Sequence, residues 1–150
     1  MKKIFLLLFL HTLFFLASLL IVFAQPKPAK GVTDDSTKYT IDNCINTFSM
    51  SKIETTKVGY QYWFANKDFA DGKTLKMSVV KPHAATHPPH IHSEDEFFFV
   101  LEGTAEFYLK GKWTAAGPLT SFYCPSNVEH GIRNAGDTEL KYLVIKKYEK

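Results

Sequence analysis

The sequence contains little cysteine: Cys44 and Cys124 are the two residues of this type among 150. Small secreted domains built on disulfide scaffolds carry several cysteine pairs, so that class of protein is excluded. A chain of this length can instead bury an apolar core of its own. Sequence alone does not show whether the two sulfur atoms meet. Both a disulfide and two separate free thiols therefore stay open.

The sequence also lacks a marked excess of positive charge. It has 18 basic and 15 acidic residues, which gives a formal net charge of +3. Lys2 and Lys3 account for much of that excess, so the remainder of the chain is close to neutral and has no basic stripe. Nucleic-acid binding requires a concentrated basic surface, and we therefore predict no nucleic-acid partner.

One long apolar run is present, over residues 4–23. Lys2 and Lys3 precede it, and the small residue Ala24 follows it. This is the pattern of a secretory signal peptide, cleaved after its apolar region. The run is also long enough to cross a bilayer as a retained anchor, but no basic stop-transfer cluster follows at once. We predict a cleaved signal peptide at residues 1–24, export to the periplasm or the exterior, and no stable membrane span thereafter.

Helix signals are scarce in the rest of the chain. Residues 25–40 are rich in Pro, Lys, Thr and Asp and predict a flexible tether, while residues 41–150 predict a single domain. Within that domain, one short helix is expected in TIDNCINTFSMSKIE. Short alternating segments, bounded by Gly, Pro and Asn, predict strands in KVGYQYWFA, TLKMSVVKP, EFFFVLEG, TAEFYLKGKW, LTSFYCP and ELKYLVIKKY. Such spacing is typical of an all-β sandwich or barrel.

The segment Phe97–Leu101 is apolar at every position and does not alternate. A strand of this kind is expected to be covered on both faces. One face would point into the barrel, and the other would lie against a second sheet, the N-terminal segment or a partner chain. A homodimer formed through that outer face is one expectation.

Histidines are concentrated between the second and third of these strands. His90 and His92 project to the same side of an extended segment, and Glu96 shares that parity. A buried carboxylate without a partner is unfavourable, and a shared divalent cation removes the problem. Imidazole nitrogens and a carboxylate oxygen suit Zn, Fe, Ni or Mn. A further ligand is offered by His130, which follows LTSFYCP and the turn after it.

The segment HPPHIHSEDEFFFVLEG resembles the first motif of the cupin superfamily. In that motif His-x-His is followed three or four residues later by Glu, and a Gly comes after six further residues. His90, His92, Glu96 and Gly103 fit this spacing. His83 and His87 have no place in the motif, and loop histidines in contact with water are expected there.

The segment GPLTSFYCPSNVEHGIRN resembles the second cupin motif, in which Pro precedes a turn, a His and an Asn. Pro125, His130 and Asn134 fit it, and Asn134 is expected to hydrogen-bond the backbone. Asn127 stands where the motif usually has Gly, and Asn tolerates positive φ. The resemblance covers about residues 58–148 and implies a double-stranded β-helix, that is, a jelly-roll barrel. It also implies one divalent metal ion inside the barrel, held by His90, His92, Glu96 and His130.

A cation held by four protein ligands keeps open positions for a substrate. The resemblance does not select the reaction, because cupins include several kinds of enzyme as well as binding proteins. Export suggests sugar acids or uronate-containing oligosaccharides released from polysaccharide. We expect a lyase or dehydratase that abstracts a proton beside the carboxylate and eliminates a β-oxygen, or an isomerase. His87, Tyr108 and Tyr123 are the candidate catalytic residues.

Two other functions fit the same residues. One is an iron-dependent dioxygenase that acts on a small organic substrate. The other is a cupin that binds a sugar or a metal without turnover. Neither the metal nor the substrate is identified by the sequence.

Overall fold

β-Strands make up most of the computed structural model, which describes residues 38–149. The predicted signal peptide at residues 1–24 and nearly all of the predicted tether at residues 25–40 lie outside the described residues. Within residues 38–149, no helix combines the length and the apolar character needed to cross a membrane.

The structure contains two short helical turns followed by strands. The predicted helix is reduced to α1 (Ile41–Cys44) and a 3₁₀ turn (Met50–Lys52). The strands are β1 (Glu54–Thr56), β2 (Gly59–Ala70), β3 (Lys73–Val80), β4 (Glu96–Glu102), β5 (Ala105–Leu109), β6 (Lys112–Ala116), β7 (Ser121–Cys124), β8 (His130–Asn134) and β9 (Leu140–Lys147).

The strands form two antiparallel sheets. The larger has six strands in the order β1-β2-β3-β9-β4-β7, and the smaller has three in the order β6-β5-β8. Because β9 pairs between β3 and β4, and β5 pairs with both β6 and β8, the chain passes repeatedly from one sheet to the other. The predicted all-β fold is confirmed, and the topology is consistent with a jelly-roll barrel.

The apolar core lies between the two sheets. Alternate residues of each strand point inwards, so Phe98 and Val100 of β4 belong to one buried cluster with Phe107 of β5 and Ile132 of β8. Its other fully buried members include Val80 and Leu140. This cluster packs the two sheets together, and some of its residues, such as Phe98 and Ile132, also line the polar cavity of the barrel.

The outer face of the larger sheet is covered by the segment that precedes β1. The Tyr62 hydroxyl donates hydrogen bonds to Asn46 Oδ1 at 2.7 Å and to the Thr47 carbonyl at 2.8 Å. The Phe48 ring meets the Tyr62 ring edge-on, with 5.1 Å between centroids. These contacts cover a second apolar cluster, built on Tyr62, Met77 and Val79.

This cover reaches only part of the apolar strand β4. Leu101 packs against the second cluster, but Phe97 is 44% exposed, beside Tyr123 at 48% and Ile145 at 45%. The described chain therefore leaves the outer face uncovered at the Phe97 end, and cover by a partner chain there stays a prediction. The preceding segment crosses the sheet over Tyr62 and does not extend to β7.

Asn134 ties the end of β8 to its surroundings. Its Nδ2 donates to the Val80 carbonyl at 2.9 Å and to the Thr138 carbonyl at 2.7 Å, while its Oδ1 accepts from the Gly136 amide at 2.9 Å. All three partners are backbone groups, as the sequence led us to expect. Asn127 adopts a φ of 57°, so its place in the motif does require a residue that tolerates positive φ.

Two glycines with positive φ differ in the space around them. Gly103, between β4 and β5, has a φ of 86°, and an added Cβ would lie 2.5 Å from the Glu139 carbonyl oxygen. Gly111, between β5 and β6, has a φ of 85° but no atom within 4 Å of such a Cβ. The first turn is packed against the chain before β9, and the second faces open space.

Gly103→Ala and Gly111→Ala form a matched pair that separates backbone strain from packing. We expect Gly111→Ala to lower the free energy of unfolding by about 1 kcal/mol, because Ala disfavours positive φ. Gly103→Ala should cost about 1–3 kcal/mol more, because its Cβ overlaps neighbouring backbone. Urea denaturation measures both values. Equal losses in the two variants would contradict the close approach of Gly103 to Glu139.

Candidate metal centre

A pair of backbone hydrogen bonds brings the two histidine motifs together. The His90 amide donates to the His130 carbonyl at 2.9 Å, and the His130 amide donates to the His90 carbonyl at 3.0 Å. The Asn127 amide also donates to the His92 carbonyl at 2.8 Å. These bonds fix the loop before β4 against the loop that leads into β8, although the two loops are far apart in sequence.

The side chains of the four predicted metal ligands meet at this junction. His130 Nε2 lies 3.1 Å from His92 Nε2 and 3.2 Å from Glu96 Oε1, and His92 Nε2 lies 3.4 Å from the same oxygen. His90 completes the group, since ligand nitrogens of His90, His92 and His130 lie within 4.8 Å of one another. The sequence placed these residues together correctly, while their role as ligands stays a prediction.

The hydrogen bonding of His130 shows which of its nitrogens faces the group. Its Nδ1 lies 2.7 Å from the Val128 carbonyl, which can only accept, so Nδ1 carries the proton. In the neutral ring, the Nε2 lone pair is then directed towards the carboxylate of Glu96 and the ring of His92. Lone pairs this close repel unless a proton or a metal cation lies between them. The donor set therefore fits a divalent cation.

The surroundings of His90 favour the neutral imidazole that a metal requires. Burial lowers the pKa of His90 most strongly, and the nearby His87, His130 and His92 rings lower it further. Its Nδ1 is also buried and has no hydrogen-bond partner within residues 38–149. Both features favour an unprotonated ring, and at such a ring a metal ion does not have to displace a proton from the nitrogen.

Cys124 lies next to this group, which sequence reasoning did not anticipate. It pairs with Glu96 across β7 and β4, and its Sγ lies within 4.8 Å of ligand atoms of Glu96 and His130. Burial raises the pKa of the Cys124 thiol well above its usual range. Cys44 is exposed on α1, and both cysteines are free thiols, which decides the question left open by the sequence.

A cavity of about 450 Å³ opens beside the four side chains. Residues of β3 and β9 form much of its wall, including the hydroxyl-bearing Thr74, Ser78 and Tyr142. Burial raises the pKa of Tyr142 to about 12, and its hydroxyl is hydrogen-bonded with Ser78 and Thr86. Tyr142 therefore stays neutral and offers the cavity a polar, uncharged surface.

Three lysines, Lys57, Lys76 and Lys146, also line the cavity, and the sequence did not single them out. Lys76 shares its parity in β3 with the buried Thr74 and Ser78, whereas Met77 faces the outer cluster. The alternation in TLKMSVV would have identified Lys76 as inward-facing if the cavity side of the strand had been known.

The three candidate catalytic residues are separated by the structure. His87 lines the cavity, and its ring lies edge-on to the His90 ring with 4.3 Å between centroids. Tyr108 lies outside the cavity and donates a hydrogen bond to Glu129 at 2.7 Å, which raises its pKa. Tyr123 lies beside Phe97 on the outer face of the larger sheet. Strand parity turns both tyrosines away from the ligand group.

A family model described as "Cupin domain" matches residues 76–146 of this chain. The matched range contains all four predicted ligands, and Lys76 and Lys146 are its first and last residues. A search of curated proteins finds no match.

Solved structures of similar architecture support the fold. The plu4264 protein from Photorhabdus luminescens superposes with a TM-score of 0.61 at 15% identity, over 74% of this chain and 90% of that one. The polyketide cyclase RemF from Streptomyces resistomycificus superposes with a TM-score of 0.59 at 19% identity, over 70% of this chain and 80% of that one. A predicted oxalate decarboxylase from Thermotoga maritima superposes with a TM-score of 0.58 at 20% identity, over 69% of this chain and 99% of that one. At these identities the likeness concerns the fold alone.

The different surroundings of the two thiols predict different reactivity. A thiol reagent added to the native protein should label Cys44 quickly and Cys124 only after unfolding, because Cys124 is buried and its raised pKa disfavours the thiolate. Labelling is followed by absorbance and located by mass spectrometry. Cys44→Ser should abolish the fast reaction and leave the slow one. Fast labelling of both thiols in the native protein, or no labelling at all in the denatured protein, would contradict the structure.

Proposed function

Because this chain belongs to the cupin superfamily, we propose that it is a metal-dependent enzyme acting on sugar acids or uronate-containing oligosaccharides. The reaction is elimination or dehydration after proton abstraction, or isomerisation. The proposal rests on one observation: three imidazoles and a carboxylate converge on one point at the wall of an open cavity.

The cavity is suited to a polyhydroxylated substrate. Hydroxyl groups of Thr74, Ser78 and Thr86 line it, together with the amide of Gln61. Groups of this kind both donate and accept hydrogen bonds, as sugar hydroxyls do. A volume of about 450 Å³ lies within the range of pockets for small molecules.

In this proposal the four predicted ligands hold the metal ion, and His87 accepts the proton. His90, His92, Glu96 and His130 would hold one divalent cation, such as Zn, Fe, Ni or Mn. When bound, this ion would polarise a carboxylate or carbonyl oxygen and so acidify the adjacent C–H bond. His87, on the cavity wall next to His90, is our candidate for the base that accepts the proton.

Two parts of the proposal rest on the sequence pattern. Export to the periplasm or the exterior is supported by the apolar run at residues 4–23 and its basic flank. A homodimer is suggested by the apolar residues of β4, of which Phe97 is exposed.

Metal binding is tested by replacing ligands and measuring the bound ion. We expect Glu96→Gln and His130→Ala to weaken metal binding by at least about 10–100-fold, since even loss of a group supporting a ligand has effects of this size. His83→Ala is the control, because His83 is exposed and paired with Asp137 at 2.9 Å, outside the ligand group. Elemental analysis and titration monitored by thermal unfolding provide the measurements. Full metal content in both ligand variants would refute the site.

The reaction is tested with the metal-loaded protein and uronate oligosaccharides. Mass spectrometry should detect cleavage by elimination, loss of water or an isomeric keto product. His87→Ala should reduce turnover by about 100-fold or more while metal content is unchanged. Oxygen consumption with a small organic substrate would instead indicate the dioxygenase. Tight sugar binding without any product would indicate a binding protein.

A further inference from the structure

The cavity beside the predicted ligands carries more positive than negative side chains. Lys57, Lys76 and Lys146 line it, and Glu96 is the one carboxylate among the described residues that do so. Glu96 itself faces His92 and His130. The excess of positive charge exists before any metal cation is counted, and a bound cation would increase it. Such a cavity attracts anions and disfavours cations.

Lys146 is already neutralised by a neighbouring acid. In β9 it lies in register between Thr74 of β3 and Glu96 of β4. Its side chain is 10% exposed, and its Nζ lies 3.6 Å from Glu94 Oε2 and 4.9 Å from the centre of the Tyr148 ring. Its charge is therefore balanced within the protein.

Lys76 differs because no carboxylate of residues 38–149 forms a direct ion pair with it. Its Nζ lies 5.1 Å from the centre of the Trp63 ring, and among residues 38–149 it forms no ion pair within 4.0 Å. Burial lowers the pKa of the Lys76 ammonium group most strongly, and the charges of Glu96 and Glu54 offset only part of this effect, so the pKa stays below its usual value. The Trp63 ring holds the group by a cation–π contact, which does not neutralise it.

An ammonium group that is half-buried and makes no direct ion pair is unfavourable for the folded protein. An apolar residue of the same length, such as Met, would fill the same space over Trp63 without that penalty. A bound anion therefore explains the presence of a lysine at position 76 better than packing does.

We propose that Lys76 binds the anionic group of the substrate, so that the cavity selects hydroxy acids over the corresponding neutral sugars. The inference deepens the proposed function and rests on it, since it concerns the same cavity. The ligand group forms one wall and Lys76, on β3, forms another. A substrate carboxylate held by Lys76 is oriented in the cavity before reaction, and Lys76 is in this sense a specificity residue.

The test compares acids with neutral partners of the same size. Calorimetry measures the binding of galacturonate against galactose and of gluconate against sorbitol, with metal-loaded and metal-free protein. We expect the wild type to prefer the acids, and Lys76→Met to weaken acid binding by about 10–100-fold, the size of a lost charge-assisted hydrogen bond. Neutral sugars should bind the two proteins equally.

Two further variants control for charge and structure. Lys73→Met lies on the same strand but is exposed, so it should bind the acids like the wild type. Lys76→Arg keeps the charge and should restore part of the preference. In the absence of ligand, Lys76→Met should unfold at the same or a higher temperature than the wild type, because it removes a buried charge. A loss of acid binding in a variant of undiminished stability and unchanged metal content supports recognition by Lys76.

The inference is overturned if Lys76→Met binds the acids as tightly as the wild type. It is equally overturned if the wild type shows no preference for acids, or does not bind them at all. Its failure is distinct from that of the proposed function, which is judged by product formation. Acid binding that depends on Lys76, without any product, would support the inference and contradict the enzyme.

Discussion

The reciprocal backbone hydrogen bonds between His90 and His130 are the constraint on which the candidate site depends. They hold two loops from distant parts of the chain at a separation where four side chains meet. The proton on His130 Nδ1 is directed to the Val128 carbonyl, so the lone pair of Nε2 faces the Glu96 carboxylate. Without a cation or a proton this arrangement is repulsive. The fold therefore imposes a geometry whose stability depends on what binds there.

The barrel interior combines an apolar floor with a polar cavity. Phe98, Ile132, Tyr142 and Val144 belong to the core cluster and also line the cavity, so they form the boundary between the two. Beyond this boundary, inward positions of the same strands carry charged or hydroxyl side chains. Well-packed apolar residues there would often be more stable. Their replacement by polar groups at one end of the barrel is the expected trade of stability for a binding site.

Alternation along the strands accounts both for the successful predictions and for the errors. It predicted that His90, His92 and Glu96 share a side, and it identified most strands of the larger sheet. It missed β8 of the smaller sheet, because the polar residues His130, Arg133 and Asn134 obscure the alternation of this short strand. It also could not tell which side of a strand faces the cavity. For that reason Tyr108 and Tyr123 were candidates while Lys76 was overlooked.

The sequence by itself determined the strand-rich fold and the glycine and asparagine turns and, through its resemblance to the two cupin motifs, the identity of the four residues that converge. The strands and turns are local features, since they follow from side-chain parity and from backbone preferences at single positions. The tertiary structure decided which inward positions surround the cavity, that Cys124 is buried beside Glu96, and that Lys76 makes no direct ion pair while Lys146 pairs with Glu94. Each of these depends on the register between strands distant in sequence, and only the folded barrel specifies that register.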